Sequence, residues 1–382
     1  MIFPVKAQQV LPVKNYLTLR SGSPHISYKL YEKQDCTVAF LGGSITFNPG
    51  WRNKVCTYLK ERYPDSRFDF VAAGIPSLGS LPHAFRLQRD VLDSGQVDLL
   101  FLEAAVNDHA NNTDSLTQIR ALEGIVRHAR TSNPLMDIIM MSFADPDKNT
   151  CYSQGRVPAE VANHELIAAH YQLPSVNLAK EVHDKIKNKE FDWKKDFKDL
   201  HPSPFGQELY FASLKELLGL ALMPHHTDPV MATLPSPLDS ANFDAGAYMD
   251  IREAKTDSTW HFDADWVPAD GLATRPGFVH VPVLSAVKPG ADLSLEFNGT
   301  AVGMAVLSGQ DAGTVSYSID NSPSREIDLY TPWSMELHLP WYILFDGNIK
   351  AGAHLLKIKL ANSHNPQSKG NACRIVYFFK NR

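Results

Sequence analysis

Between positions 35 and 222, short unbroken apolar runs alternate with longer stretches in which apolar residues recur every three or four positions. Residues 37–41 are the first such run, closed by Gly42-Gly43, and 68–73, 97–102 and 137–143 repeat it, with 175–178 as a short fifth. Runs of this length and uniformity predict strands buried on both faces. The intervening segments predict helices over 51–63, 81–92, 115–132, 158–171 and 205–220. The first of these sets Trp51, Val55, Tyr58 and Leu59 on one face, and the third carries Leu116, Ile119, Leu122 and Ile125 at helical spacing. Strand and helix in alternation predict an α/β fold, a parallel sheet with helices on both faces and its reactive loops at the carboxyl ends of the strands.

Past Leu222 the pattern changes. Residues 223–242 are rich in Pro, His, Ser and Thr and read as a linker. Beyond them, strands are predicted over 278–283, 292–297, 303–307, 314–319, 341–345, 354–360 and 374–379. Asp320-Asn321 and Asp346-Gly347 supply turn chemistry between them. Many short strands separated by turns predict an all-β sandwich. The organisation is therefore an N-terminal arm (1–27), an α/β domain (28–222), a linker (223–242) and a β-sandwich domain (243–382).

Composition narrows the function classes. With 37 Lys and Arg against 42 Asp and Glu, the net charge of −5 argues against a nucleic-acid partner. No apolar run approaches the roughly 18 residues of a membrane span. The four cysteines, Cys36, Cys56, Cys151 and Cys373, lack CxxC spacing, and Cys36 and Cys56 adjoin apolar segments as small buried hydrophobes. Phe3-Pro4-Val5-Lys6-Ala7 before Gln8-Gln9 reads as the tail of a secretory signal cleaved after Ala7, which predicts export to the periplasm or outside the cell.

The strongest chemical signal is Gly42-Gly43-Ser44-Ile45-Thr46, a serine on a glycine turn directly after a buried strand. Three more loops fall at predicted strand ends or just before the last helix: Ala73-Gly74-Ile75-Pro76-Ser77, Glu103-Ala104-Ala105-Val106-Asn107-Asp108 and Asp199-Leu200-His201-Pro202. In a doubly wound sheet these loops converge, which would bring a nucleophile (Ser44), oxyanion donors (Gly74, Asn107) and a base (His201) to one spot. In order and spacing the four segments resemble the blocks of the SGNH (GDSL-like) hydrolase superfamily, in its Gly-Gly-Ser-Ile-Thr variety.

The resemblance implies a flavodoxin-like sheet and esterase activity with no metal or organic cofactor. It implies that Ser44 is the catalytic nucleophile, His201 the base and Asp199 the acid. The oxyanion hole would comprise the Ser44 and Gly74 amides and the Asn107 side chain. The chain departs from the family pattern at Ala72, where members carry Asn, and at Lys198, where the acid three residues before His201 is expected. Asp199 and Asp196 therefore compete for the acid role.

The expected partner is an acylated small molecule or polysaccharide, with acetyl on a carbohydrate as the favoured ester. The alternatives are a lipase- or thioesterase-type member and a non-catalytic glycan-binding protein on the same scaffold. In the β domain, which loosely resembles the jelly-roll modules of carbohydrate esterases, Trp333, Trp341 and Tyr342 offer a sugar platform. Asp108-His109 reads as a solvated loop, and Asn111-Asn112-Thr113 and Asn298-Gly299-Thr300 match the glycosylation sequon. His225-His226-Thr227-Asp228 contains ligand types, but adjacent residues rarely converge on one metal ion.

Overall fold

The computed structural model describes residues 12–224, 231 and 233–382. The signal-like segment 3–9 and the histidine pair at 225–226 lie outside the described residues. Strands β1 (Pro12–Lys14) and β2 (Leu17–Thr18) form an antiparallel pair ahead of helix α1 (Pro24–Tyr31). Next come β3 (Cys36–Gly42), the one-turn α2 (Ser44–Phe47), α3 (Trp51–Arg62), β4 (Phe68–Gly74) and α4 (Ser80–Asp90). They are followed by β5 (Leu99–Glu103), α5 (Ala105–Ala110), α6 (Ser115–Ser132), β6 (Asp137–Ser142) and α7 (Pro146–Ser153). Finally, α8 (Ala159–His170), β7 (Ser175–Asn177), α9 (Leu178–Lys187) and α10 (Pro204–Ala221) complete this half.

The sheet runs β1-β2-β7-β6-β5-β3-β4. From β7 to β4 all pairings are parallel, and β2 joins β7 antiparallel. This is the flavodoxin-like doubly wound order, whose switch point lies between β3 and β5. Both faces of the central strands are covered. Val38, Phe40, Leu99 and Phe101 pack with α3 and α10, while Leu41, Leu100 and Leu102 pack with α4, α6 and α8. That is why these strands read as unbroken apolar runs.

Some expectations need correction. Leu116 is 51% exposed, because the part of α6 that meets the core begins at Ile119 and continues through Ala121 and Leu122. The short apolar run at 175–178 stops being a strand at Asn177, whose Oδ1 accepts the Lys180 amide (2.9 Å) and starts α9. Cys36 is buried as expected, Cys56 is half-buried, and all four cysteines are free.

The second half contains β8 (Gly246–Met249), β9 (Lys255–Thr256), β10 (His261–Trp266), β11 (Ala273–Thr274), β12 (Val281–Ala286) and β13 (Asp292–Gly299). β14 (Ala301–Ser308), β15 (Thr314–Ile319), β16 (Arg325–Asp328), β17 (Leu337–Asp346), β18 (Gly352–Leu360) and β19 (Cys373–Asn381) follow. One sheet is ordered β10-β12-β19-β14-β17-β11, with β8 also on β19, and the other β16-β15-β18-β13-β9. Met304, Val306, Ile343 and Phe378 of the first face Leu295, Val315, Leu356 and Ile358 of the second. The strand expected over 278–283 begins only at Val281, because Gly277 (φ 83°) and His280 (φ 57°) hold the preceding residues in a turn.

The outer face of the first sheet lies on α4 and α6. Phe379 packs with its ring centre 4.4 Å from that of Phe85, Phe243 lies 5.2 Å from the same ring, and the Arg89 guanidinium covers Tyr248 and Tyr377. β14 is consequently buried along its whole length. The last part of the linker is laid along α6, where Glu123 accepts the amides of Leu238 (2.6 Å) and Asp239 (2.9 Å). Among the described residues no helix is long and apolar enough to cross a membrane.

Candidate active site

Ser44 is the first residue of α2, immediately beyond β3 and Gly43. Its Oγ lies 2.8 Å from His201 Nε2. His201 sits between a π-helical turn (Trp193–Phe197) and α10. The loop around it is anchored through Ser203, whose Oγ donates to the Asp196 carbonyl (2.5 Å) and accepts the Gly206 amide (3.3 Å). Two further bonds tie this loop to the turn that carries Ser44. Gln207 Oε1 on α10 accepts the Trp51 amide (2.9 Å), and Trp51 Nε1 donates to the Ile45 carbonyl (3.1 Å). Serine and histidine are thus held by one set of contacts although they are far apart in sequence.

Asn107 projects from α5 at the end of β5 and is buried. A Cβ at Gly43 would sit 1.9 Å from Asn107 Nδ2, so the carboxamide lies directly against the Gly43-Ser44 turn. Gly74 serves a different need. A Cβ there would come 2.5 Å from the Phe47 amide nitrogen, so this glycine lets α2 rest against the end of β4. Gly74 is not among the residues that line the cleft, whereas Ser77 is.

Ser77 adopts φ 71°, the left-handed region that glycine favours. Its carbonyl accepts from Asn111 Nδ2 (2.9 Å) and its Oγ from Arg275 Nε (3.0 Å). Sequence reasoning passed over Ser77, and the signal available was only its place one residue after Pro76 in a strand-end turn.

Of the two competing carboxylates, Asp199 is the one beside the imidazole. Its Oδ1 accepts the His201 amide (2.6 Å) and lies 3.8 Å from His201 Nδ1, beyond hydrogen-bond reach. The Asp199 side chain is 68% exposed. Asp196 turns away, its Oδ2 accepting the Asp192 amide (2.8 Å) inside the π-helical turn. Lys198, in the position where the family's acid is expected, is held at φ 83°.

Beneath the site lies a buried polar layer. The fully buried Arg86 guanidinium donates to the Ala73 carbonyl (2.5 Å), to His83 Nδ1 (3.2 Å) and to Asp90 (2.8 Å), fastening the end of β4. Asp108, expected in a solvated loop, is instead fully buried on α5. Its Oδ1 accepts the Ser80 amide (2.7 Å) and hydroxyl (2.9 Å), and burial pushes its pKa up to about 7. Burial likewise raises Glu103 to about 7 and holds His164 down to about 4. His109 bridges Glu160 (3.1 Å) and Asp147 (3.2 Å). The first sequon asparagine, Asn111, is turned toward Ser77 rather than standing on a free loop.

Ser44, Asn107 and His201 open into a cleft of about 380 Å³, whose far wall comes from the β domain through Arg275, Trp333 and Leu339. The expected aromatic platform is divided. Trp333 lines the cleft, Trp341 stands 6.4 Å behind it against the sandwich core, and Tyr342 bonds Tyr248 (2.5 Å) in the interface between domains. Trp341 and Tyr342 are successive residues of β17 and point to opposite faces of its sheet, so they cannot form one surface.

Residues 40–209 match the family model described as the GDSL-like Lipase/Acylhydrolase family. No curated protein matches the chain in sequence. Among solved structures, a two-domain esterase active on acetylated mannans, co-crystallized with mannopentaose, is similar with a TM-score of 0.76 at 18% identity, covering 96% of this chain and 97% of that one. A second structure of a two-domain esterase active on acetylated mannans gives 0.74 at 19% identity, over 96% and 98% of the two chains. Both likenesses extend across the α/β half and the β-sandwich half. The α/β half therefore carries a domain that matches the GDSL-like lipase/acylhydrolase family over residues 40–209, and the chain joins it to an all-β sandwich.

Proposed function

We propose that this protein is a serine esterase that removes short acyl groups, acetyl foremost, from carbohydrates. The observation that carries the reading is the 2.8 Å contact between Ser44 Oγ and His201 Nε2 at the floor of an open cleft. Ser44 Oγ attacks the ester carbonyl as His201 Nε2 takes its proton. The bond to the sugar oxygen then breaks, and His201 returns the proton to that oxygen. Water, deprotonated by the same nitrogen, attacks acyl-Ser44, and His201 returns that proton to Ser44 Oγ as the carboxylic acid leaves. The transient oxyanion meets the Ser44 amide, the Asn107 carboxamide and a donor from the loop after β4, where the sequence points to Gly74 and the cleft lining to Ser77. Asp199 acts as a positioning residue for His201.

Two features support a small acyl group on a sugar. The cleft is walled by the indole of Trp333, a surface suited to a pyranose ring, and its architecture is similar to an esterase described as active on acetylated mannans. A larger apolar pocket would gain about 0.8 kcal/mol per buried methylene, and Asn48, Ser77, Asn107 and Asn111 add hydrogen-bonding groups for sugar hydroxyls to a lining that is otherwise largely apolar. Export, supported by the signal-like segment 3–9, would bring the enzyme to such glycans.

The test is a fluorophosphonate probe with adduct mapping, followed by acetate release from O-acetylated glycans. Wild type should label at Ser44, and Ser44→Ala and His201→Ala should each lose about 10⁴-fold or more in kcat with the fold intact. Asp199→Asn should cost only about 10–10²-fold, because the carboxylate is exposed and not hydrogen-bonded to Nδ1. The 3.8 Å Asp199–His201 gap favours a second reading, a non-catalytic glycan-binding protein. Labelling at Ser44 with ester turnover removes it, whereas glycan binding with neither establishes it.

A further inference from the structure

Arg275 closes the cleft from the β domain, and it lacks the partner that comparable arginines have. Arg86, Arg120 and Arg374 each face a carboxylate, Asp90, Asp239 and Asp311. Arg275 makes no ion pair among the described residues. Its recorded side-chain contact is Nε to Ser77 Oγ (3.0 Å), so both terminal nitrogens remain for a ligand. The side chain is half-buried, and the influence acting on its charge is that burial, which lowers its pKa. Its backbone is firmly held, since the Arg275 carbonyl accepts the amide of the buried Phe278 (3.2 Å) and β11, one residue earlier, pairs with β17. Among the described residues no Asp or Glu lines the cleft, and His201 is the other titratable side chain there.

We propose that Arg275 selects esters whose substrate carries a carboxylate close to the scissile bond. A guanidinium stays charged when partly desolvated, and two adjacent N–H groups fit the two oxygens of a planar carboxylate. One cation in a cleft without acids matches a single negative charge, whereas a phosphate dianion would leave charge uncompensated. The carboxylate can come from the sugar, as a uronic acid, or from the acyl group, as the half ester of a dicarboxylic acid. The proposal rests on the esterase reading above and names the substrate class of that same site.

The experiment measures kcat/KM on two matched pairs with the full chain. The first pair is an O-acetylated methyl galacturonoside and its uronamide, and the second is mono-4-nitrophenyl succinate and its succinamate counterpart. In wild type, one acid should exceed its amide at least tenfold, and the pair that does so identifies the source. In Arg275→Gln that ratio should fall to near one, and in Arg275→Lys it should fall at least threefold, because the charge stays but the fork is lost. Should the Gln variant not fold, the Lys variant decides. Wild-type ratios near one in both pairs, or a ratio unchanged in the variants, would overturn the proposal. If turnover of 4-nitrophenyl acetate persists in that case, the esterase reading survives. Absence of turnover on every ester removes both.

Discussion

At the scale of single residues, Gly43 and Asn107 compete for one volume. The missing Cβ of Gly43 is what lets the Asn107 carboxamide lie against the Gly43-Ser44 turn, since that atom would be 1.9 Å from Nδ2. Gly43→Ala should therefore displace the end of the Asn107 side chain without unfolding the protein. Its kcat on 4-nitrophenyl acetate should fall about 10²–10³-fold, as for loss of one oxyanion donor. Asn107→Ala should show the same loss, and the double variant should be no worse than either single, because both remove one interaction. Multiplying losses in the double variant would mean that Gly43 acts some other way. That Ser44, Asn107 and His201 meet at one cleft was legible from sequence, because each stands in a short local signature at a strand end or just before a helix. Arg275 was not, since Thr274-Arg275-Pro276-Gly277 looks like any surface turn until β11 is placed beside β17.

Among the elements, the link between α4 and α5 has an electrostatic cost that depends on pH. Asp108 on α5 accepts both Ser80 donors at the start of α4, faces the charges of Lys148 and Glu160, and is pushed up to about 7 chiefly by burial. A carboxyl whose folded pKa exceeds its unfolded value binds more protons folded than unfolded between the two. Stability contributed by this group is therefore present at pH 4 and lost as pH rises through about 7. Asp108→Asn keeps an acceptor for Ser80 and cannot ionise. Urea denaturation from pH 4.5 to 7.5 should show wild type losing about 1–4 kcal/mol more than the variant across that range. Equal pH slopes would show that Asp108 ionises freely in the folded state. The central strands β3, β5 and β6 were legible because each is buried on both faces. Helix α9 was not, since it begins on the residue after β7 and its first apolar residue, Leu178, extended the strand pattern. The turn before β12 was hidden in the same way, by apolar Phe278 and Val279 just ahead of Val281.

On the scale of the whole molecule, the two halves share a core. Phe379, fully buried, packs against Phe85 of α4, and Tyr248, Tyr342 and Leu344 join the same cluster. Calorimetry should accordingly give one unfolding transition for the full chain, and Phe379→Ala should lower stability by about 3–5 kcal/mol. Two separate transitions in wild type would show that the interface does not couple the domains. The position of β19 has a further consequence for the order in which the protein is made. During synthesis Ser44, Asn107 and His201 all leave the ribosome well before β19, so the α/β half can assemble its serine and histidine early. Arg275 and Trp333 also emerge early, yet their sheet cannot close until β19 has slotted between β12 and β14. The nascent chain thus passes through an interval in which Ser44 and His201 stand without the wall that Arg275 and Trp333 give the finished cleft.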